Sequence, residues 1–253
     1  MRRGLSARLR AYAEKDGRGY PDWAVRYVPV VRRLRRAGLL GRDRLEVGAN
    51  ANGLARFAPG EVISVDLAVD HLREARQAAG VRPVAADVTA LPFRDGAFDT
   101  VISMDTFEHI PESLRERAAA ELLRVTRPSG ATVVAFPAGE ASFAAEQQVQ
   151  AAYARLTGGS IRWLAEHAAM GLPDAGATRD CFARLAGEDR DVTLSGNAWF
   201  PAWAWMWRVL MCNWPGRGNA VCQVLLRWSV PLLTRLHGRR CYRAIVWVLP
   251  KGR

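Results

Sequence analysis

Short apolar runs alternate with amphipathic helical patterns through residues 44–140 of the chain. Short runs rich in valine, isoleucine and other apolar residues are typical of buried strands. Five strands are predicted, at Arg44–Gly48, Glu61–Val65, Arg82–Ala86, Phe98–Ser103 and Ala131–Phe136. Helices are predicted over Ala68–Ala79 and Pro111–Val125. The alternation indicates βαβ units and therefore a parallel sheet with helices on both faces.

The second half of the sequence adds two strands and a longer helical region. Helices are predicted over Ala144–Leu156 and Ser160–Ala169, and strands over Asp191–Leu194 and Cys241–Leu249. We therefore expect an α/β fold built on a doubly wound, mostly parallel sheet of seven strands. Ligands of such sheets bind beyond the carboxyl ends of the strands, where the strand order reverses.

Residues 197–240, between the last two predicted strands, are rich in tryptophan. Pro201, Pro215 and Pro231 interrupt this segment and predict several short helices instead of one long helix. The segment can form a helical cap over the site, or an interfacial element at a lipid headgroup boundary. The longest uncharged run of the sequence, Val192–Trp207, overlaps the start of this segment. It is shorter than the roughly 20 residues that a membrane-spanning helix needs.

Charge is concentrated at the amino terminus. The chain carries a formal net charge of +11, and residues 1–44 hold thirteen basic and four acidic side chains, which gives 13 − 4 = +9. We divide the chain into a basic helical arm, 1–43, and a domain, 44–253, in which 138–190 and 197–240 supply cap elements. The arm can serve nucleic acid, an anionic membrane or a phosphorylated substrate, or it can be a solvated amphipathic helix. Nucleic acid is disfavoured because the aromatic residues of the arm are typical of packing.

The cysteines and the amino terminus bear on location and metal binding. The four cysteines have no CxxC spacing, so no zinc site is expected, and a cytosolic chain would keep them reduced. No apolar segment follows the first arginines, so no secretory signal is expected. We expect a cytoplasmic protein, with peripheral contact to an anionic membrane at the inner face left open.

The segment Gly48-Ala-Asn-Ala-Asn-Gly53 follows the first predicted strand as a tight turn into a helix. It fits a dinucleotide-binding loop except that Asn50 replaces the second glycine. Asparagine is the non-glycine residue most able to adopt a left-handed backbone, so the turn can survive this change. The side chain would crowd a pyrophosphate, so the expected ligand has no diphosphate here.

Carboxylates stand at the ends of the second, third and fourth predicted strands. Asp66 can accept hydrogen bonds from both hydroxyls of a ribose. Asp87 can accept a hydrogen bond from an adenine amino group, with Val88 as an apolar contact. Asp105 ends the fourth strand. In the alternative interpretation, Asp66 caps the next helix and Asp87 caps its own turn.

Six motifs occur in the order found in one enzyme family: Leu45–Gly53, Val65–Asp66, Ala86–Asp87 with Leu91–Phe93, Phe98–Asp99, Phe107–His109 and Glu121–Gly130. In these motifs the chain resembles the class I S-adenosylmethionine-dependent methyltransferases, most closely their type 11 group, over roughly residues 44–137. It departs from the family at Asn50 and Asn52, where glycine is usual, and Gly53 could supply the missing flexibility. The resemblance implies a Rossmann-like methyltransferase fold and S-adenosylmethionine as cofactor.

The resemblance also implies roles for individual residues. Glu46 and Gly48 would surround the methionine part of the cofactor, and Asp66 would bind its ribose. Asp87 and Val88 would contact the adenine, and Asp105 would lie near the methionine amino group or the transferred methyl. The complete expected cofactor site is Glu46, Gly48, Asn50, Gly53, Asp66, Leu67, Asp87, Val88 and Asp105.

Asp105 and His109 are the candidate catalytic residues. His109 can act as a general base toward a substrate hydroxyl, since imidazole titrates near neutrality, or it can pack under the next helix. The expected reaction moves a methyl group to an oxygen of a small molecule, a sugar or a lipid-linked glycan. Two alternatives stay open: an RNA methyltransferase that uses the basic arm, and a non-catalytic cofactor-binding module. Neither lysine follows a tyrosine at the spacing that a short-chain reductase needs.

Overall fold

The computed structural model of the chain describes residues 7–9, 11–12, 20–48, 52–197, 202–213, 217–235 and 241–252. The strands are β1 Arg44–Val47, β2 Val62–Asp66, β3 Val81–Ala85, β4 Phe98–Met104, β5 Thr126–Pro137, β6 Arg190–Asn197 and β7 Arg243–Pro250. The helices are α1 Tyr20–Arg36, α2 Val69–Ala75, α3 Glu112–Val125, α4 Glu140–Thr157, α5 Arg162–Met170, α6 Ala175–Ala186, α7 Ala202–Asn213 and α8 Arg217–Leu233.

The seven strands form one sheet in the order β3-β2-β1-β4-β5-β7-β6. Strands β1 to β5 pair in parallel, and β7 runs antiparallel to both β5 and β6. The order reverses at β1 and β4, so their carboxyl ends flank the crevice where such sheets bind ligands. The predicted mostly parallel seven-stranded α/β fold is confirmed.

Strand β5 contributes to a hydrophobic core on each face of the sheet, because neighbouring residues of a strand point to opposite sides. On one face, Val134 packs in a cluster that includes Phe182 of α6. On the other, Val133 packs in a cluster that includes Leu34 of α1. All four side chains are almost completely buried, and each contributes about 1.5–3 kcal/mol of hydrophobic stabilisation.

Helix α1 lies within the segment that the sequence suggested as a basic arm. Its apolar positions recur every three or four residues, and Tyr27, Val30 and Leu34 are buried against the sheet. The helix therefore shares the core of the domain that begins at residue 44. Three of its arginines, Arg32, Arg33 and Arg36, line a surface groove, as expected for an amphipathic helix.

A group of helices, here called the cap, consists of α4, α5, α7 and α8. Buried residues of these helices form one cluster with Val25 of α1 and Tyr242 beside β7. The described part of 197–240 forms two helices and not one long helix, as predicted, although Pro231 lies inside α8 and does not interrupt it. Pro231 has no backbone N–H, so α8 lacks one hydrogen bond close to its end. Pro201 and Pro215 lie outside the described residues.

Helix α6 divides the segment 138–190 that was assigned to the cap. It packs on β6, β7 and α3 and therefore belongs to the layer that covers the sheet. The sequence contains a signal for its start, since the Asp174 carboxylate accepts a hydrogen bond from the backbone N–H of Ala177 at 2.7 Å. Among the described residues, no helix is long and apolar enough to cross a bilayer.

Candidate functional site

Gly48 brings the carboxyl ends of β1 and β4 into contact. Its φ is +90°, a conformation that side chains disfavour. A Cβ atom added here would stand 1.7 Å from Oγ1 of Thr106, which follows β4. The Thr106 hydroxyl donates a hydrogen bond to the Val47 carbonyl at 3.3 Å. Only glycine permits this approach, so the predicted site residue Gly48 sets the width of the crevice.

Glu46 lies behind the loop, where it is 1% exposed. Its Oε1 accepts hydrogen bonds from the Tyr27 hydroxyl and from the backbone N–H of Leu54 at 2.8 Å. Its Oε2 accepts a hydrogen bond from the Ser64 hydroxyl at 3.2 Å. Burial raises the pKa of Glu46 to about 7, although its hydrogen bonds act in the opposite direction. In this position Glu46 anchors the loop, and its direct contact with a cofactor stays a prediction.

Position 53 requires glycine because the Glu46 carboxylate leaves no room for a side chain there. Its φ of −70° is open to any residue, so the expected contribution of backbone flexibility was wrong. A Cβ atom at this position would stand 2.2 Å from Oε2 of Glu46. The two residues therefore fit together as a pair, a carboxylate under the loop and a glycine that leaves room for it. Asn50, with its predicted left-handed backbone, lies outside the described residues.

Asp66 lies at the end of β2, as predicted. Oδ1 accepts a hydrogen bond from the backbone N–H of Ala68 at 2.7 Å, and Oδ2 lies 3.2 Å from Nδ1 of His71. The carboxylate therefore shapes the turn before α2, but it does not cap that helix, whose N-cap residue Ala68 has no side-chain cap. Leu67 beside it is 69% exposed and offers apolar surface at this edge of the sheet.

Asp87 is exposed directly after β3. Its Oδ1 accepts hydrogen bonds from the backbone N–H and the hydroxyl of Thr89, at 2.8 and 2.9 Å. This contact is the turn-capping role that was the alternative to adenine recognition. Val88 next to it is partly buried against the core. The structure thus places Asp66, Leu67, Asp87 and Val88 after adjacent parallel strands, at the same edge of the sheet.

Three side chains of α3 hold the loop that follows Asp87. Oε2 of Glu121 accepts a hydrogen bond from the Leu91 N–H at 2.8 Å. Arg117 donates to the Thr89 carbonyl, also at 2.8 Å, and Arg124 donates to the carbonyls of Leu91 and Phe93. Sequence reasoning assigned no role to these three residues.

Asp105 is the centre of a buried ionic network. Its φ is +52°, which aspartate tolerates better than most residues. Its carboxylate accepts hydrogen bonds from Arg26 of α1 and, at 2.6 Å, from Arg243 of β7. Arg26 also pairs with Asp22, which pairs in turn with Arg208 of α7 at 2.7 Å. Burial alone would raise the pKa of Asp22, but Arg208, Arg26 and Arg243 together lower it.

This network joins the cap to the sheet. Trp205 of α7 is 2% exposed and stacks on Tyr242 with ring centroids 6.1 Å apart. The guanidinium groups of Arg208 and Arg243 lie 3.9 and 4.6 Å from the centre of the Trp205 ring, within cation–π range. The cap therefore lies against the carboxyl end of β4, next to Asp105.

Comparisons with known proteins agree with this geometry. A family model described as a methyltransferase domain matches residues 45–134. The chain is 30% identical over 177 residues to an uncharacterized methyltransferase of Mycobacterium sp. (strain JLS). The matched region covers 65% of this chain and 68% of that protein. The chain belongs to the S-adenosylmethionine-dependent methyltransferases. A similar protein of Mycobacterium sp. (strain KMS), also 30% identical, matches over 53% of this chain and 54% of its own length.

Solved structures share the fold of this methyltransferase. Magnesium protoporphyrin IX methyltransferase from Synechocystis PCC 6803, solved with bound SAH, superposes with a TM-score of 0.52 at 14% identity, over 88% of this chain and 80% of that one. The family to which the chain belongs identifies S-adenosylmethionine as the cofactor. The exposed Leu67 and the carboxylates Asp66 and Asp87 fit an adenosine, which offers an apolar ring, ribose hydroxyls and an amino group.

His109 lies in the short turn that follows β4, next to α5 of the cap. We call this side of the crevice the acceptor side, because the acceptor is expected here. Its side chain is 36% exposed and Nδ1 lies 3.7 Å from Oε2 of Glu166. Burial lowers the pKa of His109, and nearby His167 lowers it further. His109 therefore carries little positive charge at neutral pH, and it can accept a proton or act as a ligand.

Proposed function

We propose that this methyltransferase moves a methyl group to a hydroxyl oxygen of a lipid-linked acceptor at an anionic membrane surface. The observation that carries the proposal is an exposed apolar surface on the cap, beside a cluster of arginines. The exact acceptor class is the finer part of the proposal, since the family itself fixes only the cofactor and the reaction type.

The exposed apolar surface runs along one side of two of the cap helices, α7 and α8. We call it the apolar ridge, and it consists of Trp203, Trp207 and Met211 of α7 with Val221, Leu225, Trp228 and Leu232 of α8. Members recur every three or four residues, so those of each helix share one face. Trp203 and Trp228 are 64% and 65% exposed. Tryptophan with leucine on one helical face is typical of elements that lie in a membrane interface.

An arginine groove lies at the end of the apolar ridge. It has a volume of about 620 Å³, and Arg32, Arg33, Arg36 and Arg235 line it together with Pro29, Ala37 and Thr234. Arg32 donates a hydrogen bond to the Thr234 carbonyl at 2.9 Å, only two residues beyond Leu232 of the ridge. Guanidinium groups bind phosphate oxygens strongly. Insertion of the ridge would therefore bring four arginines close to anionic headgroups.

The residues of the site support transfer to oxygen. When bound, the cofactor supplies an electrophilic methyl group on a sulfonium. The neutral His109 imidazole can accept the proton that an acceptor hydroxyl loses as its oxygen bonds to the methyl carbon. The cap excludes water and fixes the approach of the acceptor, which supplies most of the rate in a reaction that needs little covalent help.

The alternative of an RNA methyltransferase rests on the arginines of the amino-terminal segment. In the described part of that segment, Arg26 is committed to Asp105 and Asp22, and Arg33 covers the Trp247 ring at 4.1 Å. The exposed tryptophans belong to the cap and continue into leucine and valine, a pattern that suits lipid better than stacked bases.

Vesicle sedimentation tests the membrane part of the proposal. The wild-type protein should sediment with phosphatidylglycerol vesicles and much less with phosphatidylcholine vesicles. A Trp203→Ser/Trp228→Ser double variant should lose most of this binding. Leu194→Ser, which removes an exposed apolar side chain on β6, is the matched control and should bind normally. Equal binding by the double variant and the control would contradict the membrane contact.

Methyl labelling tests the acceptor. Protein incubated with labelled S-adenosylmethionine and a bacterial membrane lipid extract should transfer label to the lipid fraction as a methyl ether. Total RNA and soluble sugars, supplied separately, should stay unlabelled. Label in RNA would favour the RNA alternative. Cofactor binding without label in any fraction would favour the non-catalytic module.

A further inference from the structure

Three side chains that can bind a metal converge on the acceptor side of the crevice. They are Glu108 and His109, which follow β4, and His167 of α5. One ligand atom from each lies within 4.8 Å of the other two. Ligand atoms in a tetrahedral zinc shell are roughly 3.4 Å apart, given bonds of about 2.0–2.1 Å. Side-chain rotations that move these atoms by about 1 Å would close the shell.

His167 is oriented as a metal ligand. Its side chain is 3% exposed, and Nδ1 lies 3.0 Å from Oε1 of Glu146, which is itself completely buried. The Tyr242 hydroxyl donates a hydrogen bond to the same Glu146 oxygen. A proton on Nδ1 leaves Nε2 with a lone pair, and in the described structure this buried Nε2 has no hydrogen-bond partner. Histidines that bind metals show this arrangement, with a carboxylate on the far nitrogen.

Glu108 provides the second unpartnered atom. Its side chain is 1% exposed, and within the described residues its Oε2 has no hydrogen-bond donor although it is buried. A buried carboxylate oxygen without a partner is costly, and a cation removes that cost. His109 has a looser version of the His167 arrangement, since Glu166 lies 3.7 Å from its Nδ1.

We propose that Glu108, His109 and His167 bind one divalent first-row transition metal ion, with Zn²⁺ as the best fit. Two imidazoles and a carboxylate favour Zn²⁺ over Mg²⁺ and Ca²⁺, which take oxygen ligands. Three protein ligands leave a fourth position open, as in catalytic zinc sites. The cysteine spacing of the sequence indicates no zinc site. The ligands proposed here are two histidines and a glutamate, and folding brings them together from separate segments.

The position of the site suggests what the metal does. Glu108 and His109 begin three residues after Asp105, at the end of β4 that faces the cap. An oxygen bound at the open position would have a lowered pKa. With the metal bound, His109 is a ligand, and an acceptor hydroxyl held at the open position would release its proton to solvent as its oxygen bonds to the methyl carbon. Metal binding itself is independent of which acceptor the methyltransferase uses.

Calorimetric titration with Zn²⁺ tests the site on chelator-stripped, full-length protein. We expect one equivalent to bind, and to raise the melting temperature. His109→Ala and Glu108→Gln should each weaken binding at least about 100-fold, and Glu146→Gln, which changes the outer partner of His167, about 10–100-fold. His71→Ala removes an exposed histidine outside the site, so it should bind nearly as the wild type.

Cobalt substitution separates this site from a site that uses the thiols of Cys181, Cys222 or Cys241. Bound Co²⁺ should show visible absorption typical of nitrogen and oxygen ligands, without a thiolate charge-transfer band, and excess Mg²⁺ should not displace it. Three results would overturn the proposal: no Zn²⁺ binding by the wild type, a thiolate band as the main cobalt signal, or undiminished binding by folded His109→Ala and Glu108→Gln. Circular dichroism and melting curves establish that these variants fold.

Discussion

The cofactor edge of the sheet and the acceptor side of the crevice are built in opposite ways. At the cofactor edge, Asp66 and Asp87 bond to backbone N–H groups two residues further along the chain. On the acceptor side, the partners of Asp105 are Arg26 and Arg243, which are 79 and 138 residues away. Local turns hold one carboxylate set, whereas arginines from distant segments hold the other set as its counter-charges.

This difference has an energetic consequence. Removing a carboxylate that bonds only to its own turn and to no cationic network affects mainly the ligand that it binds and costs little folding energy. Removing a carboxylate from a buried network leaves arginines without counter-charges, which strongly destabilises a protein. We therefore expect substitutions at the cofactor edge to change cofactor affinity, and substitutions at the acceptor side to change stability first.

The largest expected effect is at Asp105. Asp105→Asn keeps a residue that tolerates the left-handed backbone but removes the charge, so we expect a loss of about 3–5 kcal/mol of unfolding free energy. Asp105→Ala should lose about 1 kcal/mol more, because alanine resists a positive φ. Urea unfolding measures both. Asp70→Asn breaks an exposed pair with Arg73 and is the control, which should stay close to the wild type. Equal losses at Asp105 and Asp70 would show that the network is not buried in solution.

The next largest effect is the pH dependence of stability caused by Glu46. The folded protein holds this proton up to about pH 7, whereas an unfolded glutamate releases it near its ordinary value of about 4.3. The contribution of Glu46 to the free energy of unfolding is therefore fully present below the pKa that the residue has in the unfolded chain. It is lost as the pH rises to 7, by about 3 kcal/mol in total.

Glu46→Gln removes this dependence and keeps an acceptor for Tyr27 and Leu54. Urea unfolding from pH 4.5 to 7 should show wild-type stability falling relative to the variant by about 3 kcal/mol. Groups that titrate in both proteins cancel in this difference. Parallel profiles would mean that Glu46 is already ionised in the folded state at low pH.

A smaller effect is expected at the loop that carries Asp87 and Val88. Glu121→Gln weakens the charge-assisted hydrogen bond to the Leu91 N–H by about 1.5 kcal/mol. Amide exchange at Leu91 should then be about tenfold faster, and cofactor affinity should fall modestly. Glu116→Gln is the control on the same helix, because Glu116 pairs only with the exposed Arg184 among the contacts described. Unchanged exchange at Leu91 would mean that other contacts hold this loop.

The cofactor edge could be predicted because its signals are local in sequence. Strand ends, turn residues and the carboxylates Asp66 and Asp87 follow from periodicity and short motifs, and the strand order matches the fold that these motifs imply. Gly53 shows the limit of this approach. Its identity suggested backbone freedom, but the reason for glycine is the Glu46 carboxylate, which is seven residues away in sequence.

The acceptor side could not be predicted, because its contacts join distant segments. Nothing in the sequence near Asp105 indicates Arg243, and nothing near His109 indicates His167 or Glu146. The tryptophan-rich segment allowed both a packed cap and a membrane surface. The structure accommodates both, with Trp205 buried in the cap core and Trp203 and Trp228 on the exposed ridge.

Calorimetric titration of S-adenosylmethionine into the wild type, Asp66→Ala and Asp70→Ala tests the central claim, that the cofactor binds at the carboxyl ends of β2 and β3. We predict one site in the wild type. Asp66→Ala should lose roughly 2–4 kcal/mol of binding free energy, the value of two charge-assisted hydrogen bonds, while Asp70→Ala, four residues further along, should bind normally. Equal affinity of all three proteins, or no binding by the wild type, would contradict this location of the cofactor.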